Sequence, residues 1–388
     1  MKFNFDEPID RKDTLSIKYD FHRERMPENV IPLWVADMDF RTVPAVIEAL
    51  EKAVLHGIYG YSSAKEEYYE AVSSWFRSRF DWNPDSSWLI ITSGVVYAIA
   101  TAVRTFTNAG DAIIIQPPVY HPFSRYVLIN NRKLVTNPLI LKNGRYEIDF
   151  DDFERKIRQE RVKMFILCSP HNPVGRVWTR EELIRLGDIC VKYGVLVISD
   201  EIHSDFTYYG KKHTVFGSLK PEFRESSIIC TAPTKTFNLA GLQVSNIFIA
   251  NKKLRDDYLA EISRSASGHV GTMGLIACQA AYAHGAEWLD ALKKYLEGNI
   301  EFVRSFLSAR LPKIKHIEPQ GTYLLWLDFR QLNMSEEERE EFLIQKAGIW
   351  LSKGTIFGRE GTGFERMNIA SPRLILKKAL LQLERALI

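Results

Sequence analysis

Four short apolar runs alternate with amphipathic stretches in the middle of the chain. They span residues 112–115 (AIII), 164–168 (MFILC), 195–199 (VLVIS) and 227–231 (SIICT). Continuous runs of this length, separated by helical patterns, are typical of parallel strands buried on both faces. The clearest helix lies at 179–193, where Thr179 and Glu182 form a capping box and Gly194 ends the segment. The pattern predicts an α/β fold with a mostly parallel central sheet.

The periodicity also predicts elements on both sides of these runs. Strands are expected at 88–92 and 245–250, and a helix at 95–106. The C-terminal part has a different order, with helical patterns at 286–311, 336–347 and 374–387 around strands at 322–329 and 365–369. We therefore predict a large domain over 46–285, a small α+β domain over 286–388, and an N-terminal segment, 1–45, associated with the small domain.

Polar residues follow the four apolar runs at equivalent places. Tyr120, Asn172, Asp200 and Lys235 each come at or just after the end of a run, and His203 lies just beyond Asp200. In open parallel sheets, ligands bind outside the carboxyl ends of the strands. A buried lysine is more often neutral and can then form an imine with an aldehyde. A ring, an amide, a carboxylate and an amine are the groups that a planar, charged, heteroaromatic aldehyde requires.

Each of these residues has a simpler interpretation when it is taken alone. Asp200 could cap the following turn, Asn172 could be a turn residue before a proline, and Tyr120 could belong to the core. His203 could be a structural histidine. The ligand interpretation depends on their joint position at one edge of the sheet.

Composition excludes several classes of function. The net charge of the 388 residues is +3, and the basic residues are interspersed with acidic ones, which does not indicate a nucleic-acid partner. No apolar run reaches the ~18 residues of a membrane span, and the N-terminus lacks the apolar core of a signal peptide. The four cysteines are far apart, which predicts buried free thiols, no metal site and a cytoplasmic location. No G-x-G-x-x-G follows a strand, so a nicotinamide dehydrogenase is set aside.

Four motifs resemble those of a known family. S-P-H-N-P-V-G (169–175), S-D-E-I-H (199–203), T-K-T-F-N-L-A-G (234–241) and N-I-A-S-P-R (368–373) resemble the class I/II aminotransferase family of fold-type I pyridoxal phosphate enzymes, in order and spacing, across nearly the whole chain. W-V-A-D-M-D-F (34–40) and H-G-I-Y-G-Y-S (56–62) are most similar to the branch of cystathionine β-lyases and related C–S lyases. The resemblance implies the aspartate aminotransferase-like fold and pyridoxal 5'-phosphate as cofactor.

The resemblance also implies roles for the residues at the strand ends. Lys235 would bind the cofactor covalently and serve as the acid and base at the substrate Cα. Asp200 would keep the pyridine nitrogen protonated, which makes the ring an electron sink. Asn172 would bind the phenolic oxygen, Tyr120 would stack on the ring, and both would border the substrate. His203 replaces a tyrosine of many relatives.

Further roles concern the phosphate and the substrate. By resemblance, Arg373 would bind the substrate carboxylate, Ala36 would contact the substrate through its backbone, and Tyr61 would reach the phosphate and substrate of the neighbouring subunit in a homodimer with shared active sites. Gln243 replaces an arginine that clamps the phosphate in many aminotransferases. The remaining phosphate ligands are expected to be backbone amides and hydroxyls, namely those of Gly94, Val95, Val96, Thr231 and Thr234.

These expectations predict a C–S lyase. It would catalyse α,β-elimination of a small amino-acid substrate, a cysteine thioether such as L-cystathionine, to a thiol, pyruvate and ammonia. The departures at His203 and Gln243 favour this branch over an aspartate-type transaminase. The alternatives are a class I/II aminotransferase, which would need a keto-acid acceptor, and a non-catalytic regulator that binds pyridoxal phosphate.

Overall fold

The structure, a computed structural model, describes residues 3–21, 27, 29–266 and 269–388. Residues 1–2, 22–26 and 28 of the predicted N-terminal segment therefore lie outside the described residues. The α-helices in the described part are α1 (Pro44–His56), α2 (Glu66–Phe80), α3 (Val95–Phe106), α4 (Pro122–Ile129), α5 (Phe150–Glu160), α6 (Arg180–Tyr193), α7 (Pro221–Glu225), α8 (Pro233–Thr236), α9 (Lys252–Arg264), α10 (Thr272–His284), α11 (Ala286–Arg310), α12 (Glu336–Glu341) and α13 (Arg373–Leu387).

The strands form one large sheet and three smaller ones. Those of the large sheet are β2 (Leu89–Thr92), β3 (Ala112–Ile115), β4 (Lys133–Thr136), β7 (Met164–Cys168), β8 (Leu196–Asp200), β9 (Ser227–Thr231) and β10 (Ser245–Phe248). The others are β1 (Ile31–Pro32), β5 (Ile140–Lys142), β6 (Arg145–Glu147), β11 (Lys315–His316), β12 (Leu324–Asp328), β13 (Ile349–Trp350), β14 (Ser352–Lys353) and β15 (Phe364–Asn368).

The large sheet has the order β2-β10-β9-β8-β7-β3-β4. The four apolar runs of the sequence form β3, β7, β8 and β9, and neighbours among these four strands pair in parallel. Strand β10 is antiparallel to both of its neighbours, so the sheet is mostly parallel, as predicted. The parallel strands direct their carboxyl ends to the same edge, where the candidate residues lie.

Both faces of the large sheet are covered. Along β7, Met164 and Ile166 belong to one apolar cluster, which includes α3 and α9, whereas Phe165 and Leu167 belong to a second cluster on the opposite face. Alternate side chains of a strand point to opposite faces, so a doubly covered strand must be apolar at every position. This is why the run reads as continuous rather than alternating.

Helix α6 begins and ends where its sequence predicts. The Thr179 hydroxyl accepts a hydrogen bond from the Glu182 amide at 3.2 Å, and the Glu182 carboxylate accepts one from the Thr179 amide at 2.8 Å. Gly194 ends the helix in the left-handed conformation, with φ of 65°. Because α6 joins β7 to β8, these signals fix the connection between two strands that carry site residues.

The C-terminal part contains a sheet of order β11-β12-β15-β14, antiparallel throughout. Near the N-terminus, β1 pairs in parallel with β13, which joins residues 31–32 to residues 349–350. The predicted helix over 336–347 is an α-helix only over its first half, Glu336–Glu341. It becomes a π-helix at Phe342–Lys346, where three consecutive apolar side chains, Phe342, Leu343 and Ile344, are buried. The domain boundaries at 45 and 285 stay predictions.

Two further observations concern the whole described chain. Cys168, Cys190, Cys230 and Cys278 are buried free thiols, which confirms the expectation from their spacing. Among the described helices, none combines the length and the apolar character that crossing a bilayer requires.

Candidate active site

Lys235 lies in α8, directly after β9, and contacts the N-terminal part of the chain. Its Nζ donates a hydrogen bond to the carbonyl oxygen of Ala36 at 2.7 Å, and the Tyr323 hydroxyl donates to the same oxygen at 3.0 Å. Burial lowers the pKa of Lys235 to about 8, against the opposing effects of the negative charges of Asp37 and Asp200. A lysine with this pKa exchanges its proton readily near neutral pH.

Asp200 ends β8 and is only 4% exposed. Its Oδ1 accepts a hydrogen bond from the Ile202 amide at 3.2 Å, and no described cation forms an ion pair with it. Burial raises the pKa of Asp200 to about 7, because the ionised form has lost its water without gaining a full counter-charge. A buried carboxyl in this condition is suited to a ligand that brings its own N–H or positive charge.

Asn172 is bound by an arginine that lies outside the predicted site residues. Arg366, in the middle of β15, donates from Nη1 to Asn172 Oδ1 at 3.0 Å, and from Nη2 to the Trp34 carbonyl at 2.8 Å. No carboxylate in the described residues pairs with it. Burial lowers the pKa of Arg366 to about 10, although the neighbouring Tyr120 and Tyr323 oppose the shift. A buried guanidinium without a counter-ion is suited to an anionic ligand.

Arg373 is not part of this cluster, contrary to the sequence prediction. It begins α13, where its Nε donates to Asn299 Oδ1 at 3.0 Å and its guanidinium lies over the Tyr295 ring, 5.0 Å from the centroid. Its side chain is therefore held against α11. The structure brings Arg366, seven residues earlier in the chain, to Asn172 instead.

Tyr120 and His203 border the same site. Burial and the negative charge of Asp200 raise the pKa of Tyr120 to about 12. His203 is buried, and burial together with the positive charges of Lys235 and Arg366 lowers its pKa to about 3, so the ring is neutral. Its Nδ1 has no hydrogen-bond partner among the described residues, and its ring meets the Tyr323 ring edge to face at 5.7 Å.

The predicted phosphate ligands lie at the junction of β2 and α3. Gly94 precedes the helix, and Val95 and Val96 are its first two residues. The first amides of a helix have no intrahelical acceptor and can bind an anion. Apart from Gly94 itself and its two chain neighbours, no heavy atom of the described residues lies within 4 Å of the place where a side chain on Gly94 would begin. The junction thus offers both donors and space.

The other predicted contacts have mixed outcomes. Thr231 already donates its hydroxyl hydrogen to the Asn246 carbonyl of β10 at 2.8 Å, because its side chain belongs to the sheet. Thr234 lies in the short helix α8 beside Lys235. The Tyr61 side chain is fully exposed, and its ring is 6.2 Å from that of His269. In this chain Tyr61 is thus turned to solvent rather than to its own Lys235.

These groups fit a planar aldehyde that carries a ring nitrogen and a phosphate. Lys235 can bind an aldehyde, the orphaned carboxyl of Asp200 can pair with a ring N–H, and the first amides of α3 can bind a phosphate. In the described residues no group of histidine, cysteine or acidic side chains could hold a metal ion.

The model of the family described as aminotransferase class I and II matches residues 28–378 of this chain. The chain belongs to this family. The match extends from the N-terminal segment to α13, so the aspartate aminotransferase-like fold and the predicted family are confirmed.

Individual relatives cover the whole chain. A cystathionine β-lyase, PatB, from Bacillus subtilis is 42% identical over 99% of this chain and 100% of its own. The crystal structure of a putative aminotransferase from Clostridium difficile, bound to pyridoxal phosphate, has a TM-score of 0.97, 42% identity and full coverage of both chains. Cystalysin from Treponema denticola, crystallised with pyridoxal 5'-phosphate, has a TM-score of 0.97 and 40% identity over 100% of this chain and 99% of its own. The predicted resemblance to the C–S lyase branch and to pyridoxal phosphate enzymes is confirmed.

Proposed function

We propose that this protein is a pyridoxal phosphate-dependent C–S lyase that eliminates the thiol from a cysteine thioether. L-cystathionine is the proposed substrate, and homocysteine, pyruvate and ammonia are the products. The observation that carries the proposal is the 42% identity, over nearly the entire chain, to a cystathionine β-lyase. The geometry alone does not separate a lyase from a transaminase, because both need a lysine, a ring carboxylate and a carboxylate-binding arginine.

The first task of the site is to bind and orient the substrate. Arg366 is buried, always charged and without a counter-ion in the described chain, so its planar fork can accept the substrate carboxylate. The hydrogen bond from Arg366 occupies the Oδ1 atom of Asn172, which leaves the Nδ2 atom to donate to the phenolic oxygen of the cofactor. Binding at two points directs the substrate Cα towards Lys235.

The second task is proton transfer. When bound, pyridoxal phosphate supplies an electron sink that stabilises negative charge at the substrate Cα. Asp200 would keep a proton on the ring nitrogen. Lys235, with a pKa of about 8, can take the Cα proton as an amine and return a proton as an ammonium. The carbonyl of Ala36 holds the lysine head in place, and the Tyr323 hydroxyl donates to the same carbonyl oxygen.

The test is a product analysis without a keto acid. Purified protein, pyridoxal phosphate and L-cystathionine should yield pyruvate and a free thiol in equal amounts, and Lys235→Ala should yield neither. Absence of both products from the wild-type protein, with the cofactor bound, would reject the elimination. A panel of other cysteine conjugates then establishes which leaving thiol is preferred.

A second candidate is an aminotransferase. The crystal structure that is 42% identical to this chain is described as a putative aminotransferase, and the residues that hold and protonate the substrate are the same in both reactions. In that case the amino group would pass to a keto acid, and turnover would stop without one. The same assay with and without a keto acid separates the two activities. If neither activity appears although the cofactor is bound, the non-catalytic regulator remains.

We also propose a homodimer in the cytoplasm. Tyr61 is fully exposed, and apolar side chains just before it, including Leu55 (86% exposed) and Ile58 (73% exposed), form an apolar surface that a second copy could cover. The four free thiols are consistent with a reducing compartment. Light scattering coupled to gel filtration tests the dimer, because a monomer at assay concentrations would contradict a shared site.

A further inference from the structure

The segment that carries Ala36 is held by buried ion pairs with the N-terminal residues. Lys18, whose side chain is fully buried, donates to Asp39 Oδ2 at 2.8 Å. Arg11 donates to Asp39 Oδ1 at 2.8 Å and to Asp37 Oδ2 at 2.7 Å. We call Arg11, Lys18, Asp37 and Asp39 the N-terminal latch. It fixes the residues on both sides of Met38, next to the carbonyl that accepts the Lys235 hydrogen bond.

Asp37 is the member of the latch that acts towards the active site. Its Oδ2 atom is bound by Arg11, but its Oδ1 atom is buried without a hydrogen-bond partner among the described residues, and Lys18 approaches it only to 3.9 Å. Asp37 also follows Ala36 directly. Its negative charge is the largest effect that opposes the lowering of the Lys235 pKa by burial.

Several other charged or titratable groups face Lys235. Arg366 is positive and favours the neutral amine, whereas Asp200 is acidic and favours the ammonium. His203 is neutral, and burial raises the pKa of Tyr323 far above the physiological range. If the proposed function holds, Asp200 is paired with the cofactor ring during turnover. Asp37 is then the carboxylate that remains to balance the charge on Lys235.

We propose that Asp37 is a positioning residue that stabilises the protonated form of the Lys235 amine. Through this effect it would set the pH at which the lysine changes from base to acid. Arg11 holds the carboxylate through Oδ2, which leaves Oδ1 without a hydrogen bond among the described residues. The inference rests on the proposed function only in its account of turnover, because the charge on Lys235 can be measured in the protein without cofactor.

The experiment measures the titration of Lys235 in the full chain after removal of the cofactor. Cyanate carbamylates neutral amines, and peptide mass spectrometry gives the rate at Lys235 as a function of pH. The wild-type midpoint is expected near 8. Asp37→Asn should lower the midpoint by about one pH unit, the lower range of the shift that a nearby opposite charge produces. An unchanged midpoint would overturn the proposal.

Matched variants separate charge from structure. Asn238 holds the backbone of Met38 and Phe40 with three hydrogen bonds of 2.9–3.0 Å, so Asp37→Asn should leave the segment in place. Asp37→Ser is a smaller neutral variant that should give the same lowered midpoint, and Asp37→Glu should restore the wild-type value. Glu7→Gln removes an exposed charge from the N-terminal residues outside the latch and should leave the midpoint unchanged.

A second readout uses the enzyme with its cofactor. The pH profile of pyruvate release should have its acidic limb at lower pH in Asp37→Asn than in the wild-type protein, in the same direction as the carbamylation midpoint. If L-cystathionine yields no pyruvate at any pH, the lyase proposal fails. The carbamylation midpoint still tests the role of Asp37 in that case, so the two failures are distinguishable.

Discussion

Asp39 in the N-terminal latch and Asp200 at the end of β8 are equally buried, each 4% exposed, but their environments differ. Burial alone would raise both pKa values. At Asp39, Lys18 and Arg11 outweigh burial and lower the pKa below its usual value, whereas at Asp200 the pKa rises to about 7. The first carboxylate is paired within the chain and the second is not. The comparison indicates that buried charges without partners mark the place of a ligand, and that paired ones maintain the fold.

The largest effect is expected from removing the amine of Lys235, which lies in the same site as the unpaired Asp200. Lys235→Ala should lower the rate of pyruvate formation by at least about 10³-fold, because both covalent binding of the cofactor and proton transfer depend on this side chain. The variant should fold and lack the imine absorbance of the wild-type protein. A borohydride-reducible adduct in Lys235→Ala would show that another lysine binds the cofactor.

Neutralising the two carboxyls should have opposite effects on the stability of the cofactor-free protein. Asp39→Asn leaves Lys18 buried without its closest carboxylate, and we expect the free energy of unfolding to fall by about 3 kcal/mol. Asp200→Asn removes a carboxyl that has no cation to lose, so the free energy of unfolding at pH 7.5 should stay the same or rise. Urea denaturation measures both. Equal destabilisation by the two substitutions would contradict the comparison.

The two arginines offer a similar contrast. Arg366→Lys keeps the charge but loses the fork, and should raise the KM of the substrate about 100-fold, equivalent to about 2.7 kcal/mol, with cofactor still bound. Arg373→Ala, at the position favoured by the sequence motif, should leave KM within about threefold of the wild-type value. Steady-state kinetics on both variants decide the assignment, and the reverse order would restore Arg373.

The smallest expected effect is on the pH dependence of stability. The raised pKa of Asp200 means that its contribution to folding is present below the unfolded value of about 3.9 and is lost as the pH rises through about 7. The stability of cofactor-free Asp200→Asn relative to wild type should therefore increase by about 2.6 kcal/mol from pH 5 to pH 8. The loss of stability caused by Asp39→Asn should stay constant from pH 5 to pH 8. The pKa of Asp39 is lowered, so this carboxylate changes its charge only below that interval.

Residues at strand ends were predictable from the sequence, because the end of a buried run determines where they lie. Asp200 is the last residue of β8, and Tyr120, Asn172 and Lys235 come shortly after β3, β7 and β9. Arg366 was missed because it lies inside β15 rather than after it. The available signal was an arginine inside the predicted strand over 365–369, and the structure shows that every position of β15 is buried. A charge there needs either an ion pair or a ligand.

Contacts between segments that lie far apart in the chain are harder to predict from the sequence. Nothing in the local pattern indicates that the Tyr323 hydroxyl and the Lys235 amine share the carbonyl of Ala36, since the three residues lie on separate segments of the chain. The two acids of W-V-A-D-M-D-F could have been noticed as charges within an apolar stretch, but their partners Arg11 and Lys18 could not. The Thr231 hydroxyl, a predicted phosphate ligand, donates to the Asn246 carbonyl of β10, a contact that depends on strand pairing and not on the local sequence.

The pairing of β1 with β13 has a consequence for biosynthesis. Ile31 meets Ile349, so the early residues that precede Ala36 find their partner strand only when the last part of the chain has left the ribosome. Pairings over such long sequence separations form slowly. We expect the large sheet to assemble first and the amine of Lys235 to gain its carbonyl acceptor last. A nascent chain would thus present a folded core before it possesses a finished catalytic centre.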